Sequence, residues 1–411
     1  MKCRNCGETL SLVVCDLVSA PMSNAYLSGI ELDEPEIYYP LCVYVCNQCW
    51  LMQIEDYEKA NEIFGEDYRY YSSYSSLWLR HAEDYVKKIV PRLGLNPASK
   101  VMEIASNDGY LLQYFKTLGI PCFGVDPAKG PARKANTMGI ETIVAFFDAD
   151  FADELVHTKG LQDLIIGNNV LAHVPDINNF VVGLAKILSP HGTVTMEFPH
   201  LLELIRDTQF DTIYHEHYFY LSLKTVESIF KKHGLRIYNV EQLFTHGGSL
   251  RIYACHTEDS LHPTETSVNL IINEERSAGL FESQTYLAFQ GKADKIRSRF
   301  LQFLIEQRTA GKRIVGYGAA AKGNTLLNYC GIKGTGLIEY VADASPFKQG
   351  FYLPGSRIPI VEPQRIFLDK PDFVIIFPWN IKNEIMKQLE DIQEWGGKFI
   401  IPVPELEVID A

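Results

Sequence analysis

The sequence predicts an α/β protein with a cysteine-rich N-terminal region, and three observations lead to this prediction. Strand-sized apolar segments alternate with segments of helical periodicity through much of the 411-residue chain. Two of the strands, near residues 101–104 and 313–316, end in small-residue turns that open a helix. Two Cys-x-x-Cys pairs precede them. The length suggests two or three domains, and we predict domains at 1–80, 81–280 and 281–411.

The composition argues against several classes of protein. Apolar residues make up 46% of the chain, which is enough for a sizeable core. The formal net charge of -13 argues against nucleic-acid binding, which needs basic surface. The chain begins without an apolar signal segment, and no apolar run is long enough to span a bilayer. We therefore expect a cytoplasmic protein that binds neither nucleic acid nor membrane, with nine cysteines that are metal ligands or free thiols.

The middle region predicts a mostly parallel sheet that ends in an antiparallel hairpin. Its predicted strands are Val101–Ile104, Cys122–Val125, Glu141–Val144, Asp163–Gly167, Thr193–Phe198, Arg236–Leu243 and Leu250–Cys255. The last two strands can pair through the turn at Thr245–Ser249. Helical patterns at Asp153–Val156 and Phe180–Leu188 fit crossover helices between parallel strands.

A second α/β unit follows a predicted helical connector that runs from Ser267 to Gln307. The strands of this unit are predicted at Arg313–Gly316, Ile338–Ala342, Phe373–Phe377 and Phe399–Ile401.

The turn after the strand Val101–Ile104 carries the strongest functional signal. Ala105, Asn107 and Gly109 stand at the spacing where S-adenosylmethionine enzymes often carry three glycines, and the next strand ends in Asp126, an acid suited to ribose hydroxyls. The alternative is an ordinary strand-turn-helix with a buried Asp. We predict S-adenosylmethionine as cofactor and S-adenosylhomocysteine as product. The predicted cofactor-binding residues are Glu103, Ala105, Ser106, Asn107, Gly109, Tyr110, Leu111, Asp126, Asn168 and Asn169.

Four cysteines predict a structural zinc site. Cys3 and Cys6 form one Cys-x-x-Cys pair, and Cys46 and Cys49 form the other. Four thiolates are the ligand set of a closed tetrahedral Zn²⁺ site that leaves no position open for catalysis. The alternative is a set of unrelated free thiols.

Aromatic and hydroxyl side chains are dense between residues 67 and 76, a stretch that includes Tyr68 and Tyr70. Such side chains offer an apolar face and a polar tip, as a sugar or a nucleoside requires. A surface for packing between domains explains the composition equally well.

Histidines and an acid cluster after the fifth strand, in the segment Tyr214-His215-Glu216-His217-Tyr218. This position places them at the carboxyl edge of the sheet, where open α/β folds bind ligands. A histidine beside a carboxylate and phenols suits proton transfer near neutral pH, whereas a catalytic zinc would need a further ligand that the spacing does not supply. His173 follows the fourth strand at the same edge, either to bond a substrate oxygen or as a packing residue.

A second nucleotide-like turn runs from Gly316 to Gly323 and fits G-x-G-x-x-G/A, with Asp343 closing the next strand. The pattern alone indicates NAD. The rival interpretations are a turn that binds a substrate diphosphate through backbone N–H groups and Lys322, or a purely structural turn.

Taken together, these motifs make the chain resemble S-adenosylmethionine-dependent C-methyltransferases of nucleotide-linked 4-keto deoxysugars. The motifs that carry the resemblance are the cysteine pairs, Pro21-Met22-Ser23-Asn24, the Tyr-Ser stretch, Glu103–Gly109, Asn168–His173, Glu197-Phe198-Pro199, Tyr214–His217, His246–Arg251 and Gly316–Thr325. They cover nearly the whole chain in order. The resemblance implies an N-terminal zinc-binding domain, a central Rossmann-like S-adenosylmethionine domain and a C-terminal Rossmann-like domain without NAD.

The resemblance also implies an activity and its residues. The enzyme would methylate C3 of a 4-keto-6-deoxysugar linked to thymidine or guanosine diphosphate, through an enolate formed by a histidine base. His217 would be that base, and the residues around the sugar would be Tyr214, Glu216, His173 and either Tyr68 or Tyr70. The substrate would lie between the last two domains, and the predicted substrate-binding residues there are Gly316, Gly318, Lys322 and Asn324.

Two other classes of protein remain open from the sequence. An NAD-dependent nucleotide-sugar epimerase or reductase would use the Gly316 turn, although the Tyr-x-x-x-Lys pair usual in such epimerases does not stand beside it. A non-enzymatic nucleotide-sugar binder with a zinc module would bind the same ligand without turnover.

Overall fold

The computed structural model describes residues 1–57 and 71–410, and the described residues contain three sheets. The strands are β1 (Leu12–Ala20), β2 (Tyr39–Val45), β3 (Met52–Ile54), β4 (Val101–Ile104), β5 (Cys122–Val125), β6 (Thr142–Ile143), β7 (Gln162–Asn168), β8 (Leu188–Pro199), β9 (Phe219–Tyr220), β10 (Leu235–Leu243), β11 (Ser249–His256), β12 (Ile314–Tyr317), β13 (Val341–Ala342), β14 (Ile360–Val361), β15 (Phe373–Ile376), β16 (Lys398–Ile401) and β17 (Glu407–Asp410).

The N-terminal sheet is antiparallel in the order β1-β2-β3-β9. Its last strand comes from the middle of the chain, since Met52 of β3 pairs with Tyr220 of β9. This pairing attaches the N-terminal region to the segment that directly follows His217.

The central sheet has the order β10-β11-β8-β7-β4-β5-β6, with β11 antiparallel to both of its neighbours and the other pairs parallel. The chain order reverses between β4 and β7. In an open α/β sheet the ligand crevice lies outside the carboxyl ends of such a strand pair. The predicted mostly parallel sheet with an antiparallel hairpin is therefore confirmed, and its crevice lies after Ile104 and Asn168.

Helices cover the central sheet, and polar caps begin several of them. The helices are Ser76–Leu93, Leu112–Thr117, Lys129–Thr137, Ala149–Lys159, Ile177–Ile187, Leu201–Arg206 and Leu223–Lys232. Asp148 accepts hydrogen bonds from the backbone N–H groups of Asp150 and Phe151, and Ser222 accepts from that of Thr225. Caps of this kind satisfy backbone donors that the first helical turn leaves without partners.

The C-terminal sheet has the order β14-β13-β12-β15-β16-β17 and is parallel except for β17. Its helices are Phe289–Thr309, Ala321–Tyr329, Gln364–Asp369 and Lys382–Gln388. Here the chain order reverses between β12 and β15, so a second crevice forms after Tyr317 and Ile376.

The predicted connector from Ser267 to Gln307 is wrong as a single helical stretch. It consists of three helices, Thr266–Ser277, Ser283–Leu287 and Phe289–Thr309. Gly279 lies in the first break at φ +79°, and a Cβ there would stand 2.6 Å from Thr285 Oγ1. The strand predicted at Ile338–Ala342 is also shorter than expected, because only Val341 and Ala342 pair with a neighbour.

The N-terminal region packs against both larger parts. Its sheet residues Val43 and Ile54 belong to the same hydrophobic core as Ile314 of the C-terminal sheet. Cys3 and Cys46 belong instead to the core under the central sheet. The cysteine-rich region therefore lies at the junction of the two α/β units. Within the described part of the chain, no helix has the length and apolar character of a membrane span, and the cytoplasmic location stays a prediction.

Candidate active site

The turn after β4 has a left-handed backbone at each of the three positions that the sequence compares with glycines. Ala105, Asn107 and Gly109 have φ values of 56°, 50° and 78°. A residue with a Cβ loses roughly 1–2 kcal/mol in this conformation, so the surrounding structure must enforce it at Ala105 and Asn107. A larger residue at position 109 is disfavoured as well, because a Cβ there would lie 2.6 Å from Ile140 Cδ1.

Asp126 at the end of β5 holds this turn. Its carboxylate accepts hydrogen bonds from the backbone N–H groups of Asn107 and Ala128, both at 2.8 Å. Burial raises the pKa of Asp126 to about 6, although these two N–H groups favour the anion. The close approach of β5 needs Gly124, since a Cβ there would stand 2.1 Å from Ser106 Oγ.

Glu103 gives the clearest indication of a ligand in this crevice. The side chain is completely buried, and Tyr110 forms a hydrogen bond with it that favours the carboxylate anion. Burial outweighs this bond and raises the pKa of Glu103 well above its ordinary value. A buried carboxyl with so little compensation is costly, and the ammonium group of S-adenosylmethionine is a partner of the right charge. The residues of the turn therefore fit this cofactor.

An aromatic wall links the cofactor turn to the histidine cluster. The ring of Trp78 stacks on His81 with centroids 4.9 Å apart and on Tyr110 at 5.9 Å, and it meets His246 at 5.3 Å. Tyr110 in turn accepts a hydrogen bond from Asn168, at 3.4 Å. The sequence-predicted residues Tyr110 and Asn168 thus come together, with Trp78 beside them.

Glu197 at the end of β8 anchors the groups behind this wall. Its carboxylate contacts His81 Nε2 at 2.8 Å and Arg251 at 2.7 Å, and it accepts a hydrogen bond from Thr245. Burial alone would raise the pKa of Glu197, but these partners outweigh burial and lower it to about 2. The loop that carries Thr245 and His246 is thereby attached to the sheet.

His217 has a defined tautomer. Its Nδ1 lies 3.0 Å from the carbonyl oxygen of Thr212, which can only accept, so Nδ1 carries the proton. Nε2 is therefore the unprotonated nitrogen, and it accepts a 2.6 Å hydrogen bond from the hydroxyl of Tyr214. Burial, followed by the nearby His173, holds the pKa of His217 well below its ordinary value. The ring is a neutral base at neutral pH.

Two more partly buried imidazoles lie near that base. The ring of His173 lies 4.7 Å from the ring of His217, and His246 Nε2 lies 2.9 Å from the side-chain amide nitrogen of Asn169. Burial lowers the pKa of both His173 and His246 to about 4. His173 and Asn169 were predicted from the sequence, whereas no role was predicted for His246.

Glu216 faces the N-terminal region. Both carboxylate oxygens lie 2.8 Å from Nδ2 of Asn24. Burial raises the pKa of Glu216 to about 7, while Asn24 favours the anion. Among the described residues, the Glu216 carboxylate therefore bonds Asn24 and does not bond the ring of His217.

Lys322 projects from the C-terminal domain toward the same imidazoles. Its ammonium lies 3.1 Å from Asn380 Oδ1 and 3.9 Å from the centroid of the Trp379 ring. Burial lowers the pKa of Lys322 to about 8, and Asp211 opposes this effect. Asp211 itself accepts a 2.7 Å hydrogen bond from Trp379 Nε1. The positive charge of Lys322 also lowers the pKa of His217 and His246, after burial.

Packing within the chain accounts for the glycines of the second turn. A Cβ at Gly316 would lie 2.6 Å from the ring of Phe377, and one at Gly318 would lie 2.4 Å from Cδ of Pro378. Asp343, which would hold ribose in a dinucleotide fold, accepts hydrogen bonds from the N–H groups of Ala319 and Ser345. The pattern that suggested NAD thus has a structural explanation here.

Two predicted groups of substrate residues lie elsewhere. Asn324 is buried, with its side-chain nitrogen 3.5 Å from the carbonyl oxygen of Ser23, so its substrate contact stays a prediction. Tyr68 and Tyr70 lie outside the described residues. Their neighbour Tyr71 stacks on Phe347 of the C-terminal domain with ring centroids 5.3 Å apart.

The four predicted zinc ligands come together. The sulfur atoms of Cys3, Cys6, Cys46 and Cys49 lie within 4.8 Å of one another, and the pairs Cys3–Cys49 and Cys6–Cys46 are 3.5 Å apart. A tetrahedron with Zn–S bonds of about 2.3 Å has sulfur atoms about 3.8 Å apart. The cluster therefore fits a structural Zn²⁺, as predicted.

Comparisons with known proteins agree with this arrangement. Family sequence models match residues 3–64 as a zinc binding domain, residues 78–240 as a methyltransferase domain and residues 244–404 as a C-methyltransferase C-terminal domain. The C-methyltransferase NovU of Streptomyces niveus is 37% identical over 410 residues, which cover all of this chain and 97% of that protein. The chain belongs to the C-methyltransferase family. Its fold is that of a methyltransferase that depends on S-adenosylmethionine, with a zinc-binding N-terminal domain.

Two solved structures each resemble less than half of this chain. An S-adenosylmethionine-dependent methyltransferase from Clostridium acetobutylicum is 11% identical and covers 43% of this chain and 92% of its own, with a TM-score of 0.36. Magnesium protoporphyrin IX methyltransferase from Synechocystis is 14% identical and covers 48% of this chain and 89% of its own, with a TM-score of 0.33.

Several residues of the site were not predicted from the sequence. They are Asn24, Trp78, Asp211, His246 and Trp379. His246 had a usable signal, because the His-Gly-Gly turn stands between two strands of the sheet. A lone Trp or Asp far along the chain has no such signal, since only the tertiary structure brings it to the site.

Proposed function

We propose that this C-methyltransferase methylates C3 of a nucleotide-linked 4-keto-6-deoxysugar, with His217 as the base. The observation that carries the proposal is the hydrogen bonding of His217. Thr212 fixes the proton on Nδ1 and leaves the Nε2 lone pair on the side of Tyr214. General base catalysis on a C–H group requires such a neutral, oriented nitrogen, and burial keeps the pKa of this imidazole low enough to supply it.

The keto sugar follows from the chemistry of carbon as a nucleophile. A ketone at C4 acidifies the hydrogen on C3. Nε2 of His217 takes that proton, the C–H electron pair becomes the C3–C4 double bond, and the carbonyl π pair moves to oxygen. A donor is then needed where negative charge develops, and Tyr214 is the candidate beside His217. His173 was the other predicted donor, but as a neutral imidazole it already bonds the backbone of Glu216. The proton on His217 afterwards leaves to water.

Bound S-adenosylmethionine would supply the methyl group: the π pair of the C3–C4 double bond would form the new C3–CH3 bond, an oxygen pair would restore the C4 carbonyl, and the electron pair of the broken C–S bond would stay on the sulfur of S-adenosylhomocysteine. Glu103 and Asp126 are the residues proposed to hold it, and the ring of Trp78 lies beside them, in contact with the rings of Tyr110 and His246. Holding two reactants in line accounts for a large part of such a rate enhancement.

Lys322 is the cation proposed to meet the diphosphate. Its ammonium is buried in the cleft between the second and third domains, and the carboxylate that acts on it, Asp211, is already bonded to Trp379. A buried cation gains from an anionic partner. Thymidine and guanosine diphosphates carry the same charge, so the experiment below has to identify the nucleobase of the substrate. Gly316 and Gly318 stay candidates by position alone, because their backbone N–H groups already donate to the carbonyl oxygens of Tyr340 and Ala342.

Incubation with methyl-labelled S-adenosylmethionine and a panel of thymidine- and guanosine-diphosphate 4-keto-6-deoxysugars tests the proposal. We expect a mass gain of one CH2 unit in one of these sugars, with the new methyl carbon bonded to C3 by NMR. A methyl group on oxygen or nitrogen would contradict it. So would tight NADH binding with keto-sugar reduction, which is the activity of the alternative epimerase or reductase.

A further inference from the structure

The segment Ser23–Leu27 of the N-terminal region lies between the C-terminal domain and the loop Tyr214–His217, which we call the catalytic loop. Leu27 and Tyr352 exchange both backbone hydrogen bonds, at 3.0 and 2.8 Å. The hydroxyl of Tyr26 donates to the carbonyl oxygen of Ala319 at 2.7 Å. The segment is therefore fixed to the turn that follows β12.

From this fixed segment, Asn24 reaches the catalytic loop. Its side-chain NH2 group lies 2.8 Å from each oxygen of Glu216. A carboxylate only accepts hydrogen bonds, and this assigns the NH2 group of Asn24 to the side of Glu216. Glu216 is 4% exposed, so water contributes little to its solvation and these bonds matter more than they would at a surface.

Glu216 is coupled to both imidazoles of the site. It is the sequence neighbour of His217, and its backbone forms a hydrogen bond with the side chain of His173. A displacement of the Glu216 side chain would move the backbone of Glu216, which bonds the ring of His173 and is directly followed by His217. The position of the carboxylate therefore bears on the geometry of proton transfer.

We propose that Asn24 is a positioning residue for methyl transfer, which holds the Glu216 carboxylate in place beside the base. The inference rests on the proposed function. Through Asn24 the zinc-bearing region supplies a group to the active site as well as packing. No motif in the sequence assigns this role to the Pro21–Asn24 segment.

The groups around Glu216 determine how the loss of the Asn24 side chain would change the pKa of the Glu216 carboxyl. Burial raises the pKa of the carboxyl, and Asn24 and the cation of Lys348 oppose that effect. The Tyr26 hydroxyl is the other titratable group that faces it, and burial raises the pKa of that phenol, so Tyr26 stays neutral. Without the side chain of Asn24, the backbone N–H of residue 24 and Lys348 still favour the anion, but less strongly, and Glu216 is protonated at higher pH.

The first test is the pH dependence of kcat in Asn24→Ala and Asn24→Asp. We expect the acidic limb of the profile to move up by about 1 unit in the alanine variant, with kcat at pH 7 about 10-fold lower. The Asn24→Asp side chain has nearly the same size but places a second carboxylate next to Glu216. Because two adjacent carboxylates share a proton, we expect the acidic limb of the pH profile to move to still higher pH in this variant. Ser28→Ala is the matched control, because Ser28 directly follows the segment and its side-chain bond among the described residues goes to the exposed Glu31.

A second test separates positioning from folding. In a Glu216→Gln background, Asn24→Ala is expected to cause no further loss, because residues that act through one group are not additive. An unchanged acidic limb in both Asn24 variants would overturn the proposal, and so would an equal loss in the Glu216→Gln background.

Failure of the proposed function is distinguishable from failure of this inference. If the wild-type enzyme methylates no keto sugar, the substrate assignment fails. The titration of Glu216 is then followed directly by 13C NMR of carboxyl-labelled glutamate, assigned with Glu216→Gln. A higher midpoint in Asn24→Ala supports the role of Asn24, and an unchanged midpoint overturns it.

Discussion

The hydroxyl of Tyr214 donates a 2.6 Å hydrogen bond to Nε2 of His217, on the same ring whose Nδ1 is held by Thr212. Both nitrogens of the imidazole are thus assigned before any substrate binds. The Tyr214 hydroxyl stands where a substrate oxygen or C–H group would meet the base. We therefore expect it to orient the ring and to donate to the enolate oxygen.

Replacement of Tyr214 by Phe tests this relationship. We expect Tyr214→Phe to lower kcat by about 100-fold, the scale for loss of one donor to a developing oxyanion. Affinity for S-adenosylmethionine should not change. Tyr38→Phe is the control, because it also removes one phenol hydroxyl, which donates to the carbonyl oxygen of Gly355 in the C-terminal domain. A Tyr214→Phe enzyme with the wild-type rate would remove Tyr214 from the mechanism.

The two nucleotide-like turns allow a matched pair of variants. Asp126→Asn is expected to weaken binding of S-adenosylmethionine by about 10- to 100-fold, which corresponds to a hydrogen bond with a charged group. Asp343→Asn changes the equivalent acid, which also accepts a backbone N–H bond, at Ala319. It should leave that affinity unchanged in titration calorimetry. Equal losses in both variants would show that the cofactor site is not after β4.

Zinc content tests the cysteine cluster. The wild-type protein should hold about one zinc per chain, and Cys46→Ser should lose it and unfold at lower temperature. The effect on stability should be large, because Cys3 and Cys46 belong to the core under the central sheet. Cys122→Ser removes a thiol outside the cluster and should retain the metal. Full metal content in Cys46→Ser, measured by mass spectrometry, would contradict a four-thiolate site.

Glu197 should make stability depend on pH at the acid end. Its folded-state pKa of about 2 lies below the ordinary value of 4.5, so its contribution is complete above about pH 4.5 and is lost as the pH falls through about 2. Glu197→Gln leaves buried Arg251 without its carboxylate and should cost about 3 kcal/mol near neutral pH. The difference in unfolding temperature from wild type should shrink toward pH 2.

A surface carboxylate provides the control for that measurement. Glu227 pairs with Lys224 at 2.7 Å, and both side chains are partly exposed. Glu227→Gln should shift the unfolding temperature only slightly at any pH, because exposed ion pairs contribute at most about 1 kcal/mol. A Glu197→Gln deficit that stays constant down to pH 2 would contradict the low pKa.

Local signals in the sequence were enough to predict much of the fold. Val101–Ile104 and Cys122–Val125 are strands with the predicted limits, because each is a short apolar run closed by a turn. The left-handed backbone at Ala105 and Asn107 follows the predicted glycine spacing. The break at Gly279 was missed, because one glycine in a long helical pattern is a weak signal.

The site was harder to predict than the fold. His217, Tyr214 and His173 could be proposed because they stand close to strand ends. Asn24 and Trp379 lie almost at opposite ends of the chain, and only the packing of three domains brings them to the catalytic loop. The Gly316 turn illustrates the reverse case, since Phe377 and Pro378 account for glycines that a dinucleotide pattern also requires.

Exchange of the C3 hydrogen in D2O tests the role of His217 most directly. With the keto-sugar nucleotide bound and S-adenosylhomocysteine in place of the methyl donor, wild-type enzyme should exchange deuterium into C3, as followed by NMR. His217→Ala should exchange it about 100- to 10,000-fold more slowly, the scale of a general base, while it still binds both ligands. Exchange at the wild-type rate in His217→Ala would contradict the assignment of this imidazole as the base.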